Sequence, residues 1–111
     1  MCLALLACDT HPRYRLILAA NRDEQYRRPS KVAGFWQDDP QILAGRDLEQ
    51  GGTWLGVTLK GRFAFLTNYR QPGAERPDAK SRGILVSDFL RGSEAPEAYL
   101  ARIRREDADY N

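Results

Sequence analysis

The opening of the chain constrains the fold more than any other stretch. Residues 2–8 (CLALLAC) are apolar at every position, and residues 14–20 (YRLILAA) resume an apolar run after Asp9-Thr10-His11-Pro12. Pro12 pushes His11 out of the helical region, so the segment between the runs reads as a turn. Two apolar runs around a turn predict a β-hairpin. The first strand is apolar on both faces, with Cys2, Ala4 and Leu6 on one and Leu3, Leu5 and Ala7 on the other. Such a strand is expected to be covered on both sides. The stretch from Met1 to Cys8 is far short of the ~20 residues that span a bilayer. It also lacks the basic flank and cleavage site of an export signal, so the chain is expected to be soluble, not exported and cytoplasmic.

Residues 30–52 carry Gly34, Pro40, Gly45, Gly51 and Gly52 and read as irregular, with a short strand at 41–44. Two stronger strands, 53–59 and 62–69, are joined by Lys60-Gly61, a hairpin signal. A polar loop over 70–80 leads to two helices. The first, 82–90, is expected to be capped by Ser81 and ended by Gly92; the second, 94–105, to be capped by Ser93 with Pro96 in its first turn. Strands first and helices second predict an α+β layered fold of antiparallel strands followed by two helices. Helices on one side leave the other sheet face bare, although the first strand asks for cover on both. A single domain over residues 1–111 that forms the N-terminal half of a longer one resolves this conflict. Net charge is +2, with 17 basic residues interleaved among 15 acidic ones. That balance gives no case for nucleic acid, a membrane surface or a strongly acidic partner.

Cys2 is the most informative position for chemistry. It follows Met1 and is small enough for the initiator to be removed. A first-residue cysteine carries its own base, because its α-amine lies within reach of its thiol. The plain alternative is a small apolar residue in a strand. The second strand ends abruptly in Asn21-Arg22-Asp23-Glu24, without Gly, Ser or Pro to announce a loop. In an antiparallel hairpin the end of the second strand lies beside the start of the first, which sets Arg22 and Asp23 next to Cys2. A guanidinium near sulfur favours the thiolate, and a carboxylate can hold the α-amine. A solvated salt-bridge cluster would use the same residues. In the strand 62–69, Asn68 alternates onto the face of Ala64 and Leu66. It is either a satisfied buried amide or an oxyanion-hole donor.

Trp54, set among Gly51, Gly52 and Gly56, can stack a substrate acyl group or anchor a core. Asn21 is the other candidate substrate contact. No Lys precedes Thr53, so the glycines around Gly45 to Thr53 are not a phosphate loop. Arg27, Arg28 and Lys31 read as a solvated basic patch, and His11 as a turn residue. Along one straight strand Cys2 and Cys8 stand ~20 Å apart, against a disulfide limit near 7 Å, so two reduced thiols are expected. With one His and no Cys-x-x-Cys, no metal and no cofactor are called for.

Taken together, several ordered motifs resemble the NRDE family, also called the Transport and Golgi organisation 2 family. They are Met1-Cys2-Leu3, His11-Pro12, Ala19-Ala20-Asn21-Arg22-Asp23-Glu24, Arg28-Pro29, Gly45-Arg46-Asp47, Gly51-Gly52-Thr53-Trp54-Leu55-Gly56, Leu66-Thr67-Asn68-Tyr69-Arg70 and Ser81-Arg82-Gly83. Members are longer, so the resemblance implies an N-terminal half. The family in turn is similar to the N-terminal nucleophile hydrolases, an αββα sandwich, and especially to choloylglycine hydrolase and penicillin V acylase. There a cysteine exposed by processing attacks an amide, an Arg lies near the sulfur, an Asp holds the amine and an Asn helps form the oxyanion hole. Those roles fall on Cys2, Arg22, Asp23 and Asn68. The hydrolases separate their Arg and Asp by two residues, whereas Arg22 and Asp23 are adjacent, so both reach Cys2 only if the strand bends. The implied substrate is a small amide or acyl compound. The family has also been linked to haem movement, lipid metabolism and secretory-pathway organisation, which implies a haem- or lipid-related binding protein as the alternative.

Overall fold

The computed structural model describes residues 2–68, 76, 78–106 and 110. Met1, Tyr69, Arg70 and most of the expected loop over 70–80 lie outside the described residues. The fold is α+β with strands preceding helices, as the order of sequence signals predicts. Among the described residues, all strands are antiparallel and fall into two sheets.

The first sheet is the opening hairpin. Strands β1 (Ala4–Cys8) and β2 (Leu16–Ala20) pair with Ala4 opposite Ala20 and Cys8 opposite Leu16. The turn closes where the Asp9 N–H donates to the Arg15 carbonyl at 2.8 Å, with Asp9 itself at φ 51°. A short Asx side chain tolerates that left-handed conformation better than most residues. The expected burial of β1 on both faces is not met within this chain. Leu5 is 62% exposed and Leu3 54%, because the ribbon stands clear of the second sheet and no described element covers either side.

The second sheet runs in the order β3 (Ser30–Phe35), β4 (Ile42–Asp47), β5 (Leu55–Thr58), β6 (Phe63–Phe65). Residues 30–52 were expected to be mostly irregular; two full strands correct that reading. The β3–β4 register shifts between Lys31 and Gly34, so Val32 and Ala33 together oppose Gly45, a β-bulge. Gly61, at φ 80°, closes the β5–β6 hairpin, where its N–H reaches the Thr58 carbonyl at 3.0 Å. Positive φ is what glycine supplies at low steric cost.

Helix α1 (Gly83–Arg91) lies on one face of this sheet. Trp36, Ile42, Ala44, Val86 and Leu90 form the core, with Ala64 and Leu66 packed against it. Full burial of side chains such as Ile42 and Leu90 contributes about 1.5–3 kcal/mol each. Gly56 makes the fit possible, since a Cβ there would lie 2.6 Å from Leu90 Cδ1 and 2.9 Å from the Ala44 Cβ. The opposite face stays open, with Phe35, Leu43 and Val57 paired across β3, β4 and β5 in one exposed row.

Ser81 does sit ahead of α1 and accepts the Gly83 N–H on its Oγ at 3.3 Å, although the capping position is Arg82. Ser93 does not cap the second helix. That helix, α2 (Pro96–Ile103), starts two residues later than expected, with Ala95 at the cap and Pro96 in the first turn. Proline's fixed φ and missing N–H suit that position and set the start. Tyr99 of α2 packs edge-on against Phe89 at 5.2 Å and donates its hydroxyl to the Leu85 carbonyl at 2.7 Å. Burial is the main cause pushing the Tyr99 phenol up to about 12.

Candidate functional site

The β1–β2 register carries one step past the ribbon and brings the candidate nucleophile to the polar tetrad. Asn21 ties the two ends together: its N–H donates to the Leu3 carbonyl at 3.1 Å, and its Oδ1 accepts the Leu3 N–H at 2.8 Å. Beyond this pair, one residue back from Leu3 and two on from Asn21, the Asp23 backbone N–H points at Cys2 Sγ, 3.5 Å away. The contact is made by the Asp23 backbone. Strand β2 ends at Ala20, so the strict alternation that would set Arg22 and Asp23 on opposite faces no longer applies at the tetrad. Cys2 is half-buried and Cys8 exposed, and both thiols are free.

Arg22 turns toward the second sheet. Its guanidinium carbon lies 4.3 Å from the centroid of the Trp54 ring, a cation–π stack. Trp54 is held from behind by two neighbours. Its carbonyl accepts the Leu66 N–H at 3.0 Å, which extends the β5–β6 pairing beyond Phe65. Its ring edge also lies so close to Gly45 that a Cβ there would fall 2.8 Å from Cη2.

Arg22, Trp54 and Asn68 line one groove of about 550 Å³, together with Leu66, Ser81 and Gly83 at the start of α1. Cys2 and Asp23 are not among its lining residues, and Arg22 is the link between the Cys2 corner and the groove. Arg28, Arg76 and Arg82 join Arg22 in its lining, as do Glu24 and Asp47.

Arg28 is not a solvated patch residue, which corrects the reading of residues 27–31. Its guanidinium pairs with Asp47 at 2.6 Å, both side chains being largely shielded from solvent. Burial alone would push the Asp47 carboxyl up. The Arg28 hydrogen bond and the Glu49 and Gln50 N–H groups outweigh it and hold the carboxyl below its ordinary value. Arg28 and Asp47 stand in two of the quoted motifs, Arg28-Pro29 and Gly45-Arg46-Asp47. Only the β3–β4 register, which sets Ser30 opposite Asp47, shows that they meet.

Arg46, next in the chain to Asp47, serves a different cluster. Together with Arg91 it lies over the Trp36 ring, at 4.3 and 5.1 Å, and both guanidinium groups pair with Asp38. The Arg46 hydrogen bond is the largest cause holding the Asp38 carboxyl down, to about 2. This cluster locks the β3–β4 end of the sheet to α1 and is separate from the groove.

Among the described residues no three His, Cys, Asp or Glu side chains gather as a metal-ligand set, and no helix is long and apolar enough to cross a membrane.

Comparison with known proteins bears on the whole of this arrangement. The family model for Transport and Golgi organisation 2 matches residues 1–111. The mouse Transport and Golgi organization 2 homolog is 48% identical over 118 aligned residues, covering 100% of this chain and 42% of the relative. The human homolog is 46% identical over the same share of each chain. The Drosophila melanogaster protein is 33% identical over 90% of this chain and 38% of its own length. The chain thus spans about two-fifths of the length of these relatives. With a family match from the first residue to the last, the chain belongs to the Transport and Golgi organisation 2 family.

Proposed function

We propose that the chain supplies the nucleophile part of an N-terminal cysteine hydrolase acting on a non-peptide amide bond. The observation that carries this reading is the closure of the opening hairpin, which sets Cys2 Sγ 3.5 Å from the Asp23 N–H. In the proposed reaction, removal of Met1 frees the Cys2 α-amine, which takes the thiol proton. The thiolate attacks the amide carbon; the C–S bond forms, the C–N bond breaks, and the proton passes to the departing amine. Water then hydrolyses the thioester to a carboxylic acid and regenerates the thiol. Asp23 holds the α-amine, Arg22 supplies positive charge beside the reacting carbonyl, and Asn68 donates to the developing oxyanion. Trp54 and Asn21 complete the corner in which the acyl group lies.

The relatives run to more than twice the length of this chain, and the rest of the site and the cover for the exposed ribbon are assigned to that remainder. Two free thiols suit a reducing, cytoplasmic setting.

Intact-mass and peptide mapping of the full-length protein, with and without an electrophilic acyl probe, test the reading. The expected result is a mature chain lacking Met1, with the adduct on Cys2. Retention of Met1, or an adduct at Cys8 alone, would overturn it.

A further inference from the structure

The groove shows how Arg22 is held. Its guanidinium rests on the Trp54 ring at 4.3 Å, and among the described residues no hydrogen bond or ion pair fixes it elsewhere. Trp54 in turn depends on Gly45. A Cβ at Gly45 would fall 2.8 Å from Cη2 and 2.9 Å from Cζ2 of the indole, and 3.3 Å from the Lys31 carbonyl, so any larger residue must move the ring. Gly45 is not at positive φ, so its requirement is steric. It sits opposite the bulge at Val32 and Ala33.

We propose that Trp54 and Gly45 are positioning residues: Gly45 seats the indole, and the indole presents the Arg22 guanidinium to the Cys2 corner. Trp54 then acts through its aromatic face and not mainly as a substrate stack. This rests on the hydrolase reading only in the use it gives Arg22. The device itself is a statement about charge near Cys2 and can be read without substrate.

The test compares alkylation of Cys2 by iodoacetate and by iodoacetamide in the full-length protein, followed by peptide mapping. The ratio of the two rates cancels the thiolate fraction and reports the local field, and exposed Cys8 serves as internal reference. Arg22→Gln is expected to lower the Cys2 ratio roughly five-fold, the order that one nearby unit charge exerts through water. Trp54→Leu is expected to lower it comparably with Arg22 still present, whereas Trp54→Phe, which keeps a π face, retains most of it. A purely structural Trp54 would change the melting temperature and leave the ratio alone. An unchanged ratio in Trp54→Leu or in Arg22→Gln, or equal losses in Trp54→Phe and Trp54→Leu, would overturn the proposal. Should Trp54→Leu unfold, Gly45→Ala decides: it keeps the indole but displaces it, so a lowered ratio supports the device and a wild-type ratio refutes it. Failure of the hydrolase reading is distinguishable, because a retained Met1 or a missing acyl adduct leaves these ratios untouched.

Discussion

Arg28 and Asp47 are joined twice on one oxygen: Nε and Nη2 of the guanidinium donate to Asp47 Oδ2 at 3.0 and 2.6 Å. The other carboxylate oxygen takes the Glu49 and Gln50 N–H groups, at 3.0 and 3.4 Å. The pair therefore clamps the segment entering β3 to the end of β4 and the turn beyond it. The Leu48 N–H to Pro29 carbonyl bond, 3.0 Å, closes the same junction.

Removing Arg28 leaves a shielded carboxylate without its cation. Arg28→Ala is expected to cost about 2–3 kcal/mol, read from urea midpoints at neutral pH. The pH dependence follows from the sign of the shift. Asp47 is held below its ordinary value in the folded state, so its contribution is complete above the normal carboxylate range. It fades as pH falls through the lower, folded value. Wild type should lose this increment in acid, and Asp47→Asn should be less stable at pH 7 with a flatter acid limb. Parallel curves for the two proteins between pH 7 and pH 3 would contradict this account.

Gly52 faces the start of α1 at a distance no side chain tolerates. A Cβ would lie 2.4 Å from the Gly83 carbonyl carbon and 2.6 Å from its oxygen, and these are backbone atoms that cannot swing aside. The approach is fixed by the Thr53 N–H to Gly83 carbonyl bond at 3.1 Å. Gly52→Ala is expected to destabilise by about 3 kcal/mol. Gly51, at φ 77° with open space around it, should cost only about 1 kcal/mol as alanine. Thermal melts of the two variants give the order directly, and a milder effect at Gly52 than at Gly51 would refute the steric argument.

Much of this was legible in sequence where one local signal decided the outcome. The two apolar runs gave β1 and β2, Gly61 gave the β5–β6 turn, and Pro96 marked the start of α2. Strand β3 was hidden because Ser-Lys-Val-Ala-Gly-Phe has no two-residue alternation, and the bulge at Val32 and Ala33 breaks what pattern there is. Strand β4 was only half visible, because Gly45-Arg46-Asp47 looks like a loop. Its glycine answers the Trp54 ring and its charged residues answer Asp38 and Arg28, partners distant in sequence. For the site, hairpin geometry set Arg22 and Asp23 beside Cys2, and of the two it is the Asp23 backbone N–H that contacts the sulfur. Hairpin geometry could not predict that Arg22 turns onto Trp54, which needs the relation between two sheets.

Asn68 tests the oxyanion role. It lines the groove beside Arg22 and Trp54. In the full-length protein Asn68→Ala is expected to slow acylation of Cys2 by an activated acyl probe about 10²–10³-fold. Alkylation of the same thiol by iodoacetamide, which develops no oxyanion, should change little. Equal slowing of both reagents would assign Asn68 a structural role instead.

Asn21 offers the most local prediction. Its side-chain oxygen accepts the Leu3 N–H, one residue from Cys2, and its own N–H returns the bond to the Leu3 carbonyl. Asn21→Ala keeps the backbone half of this ring and removes the side-chain half, at a cost of about 1 kcal/mol because the site is exposed. The loss falls on the segment that carries the thiol and leaves the core intact. Amide exchange at Leu3 should quicken and alkylation of Cys2 rise, while exchange in α1 stays at its wild-type rate. Asn21→Asp, which keeps an acceptor in the same place, should hold Leu3 near its wild-type protection. If Leu3 exchange is the same in Asn21→Ala as in the wild type, the side chain is not what pins the chain start, and the position of Cys2 must be set by the ribbon alone.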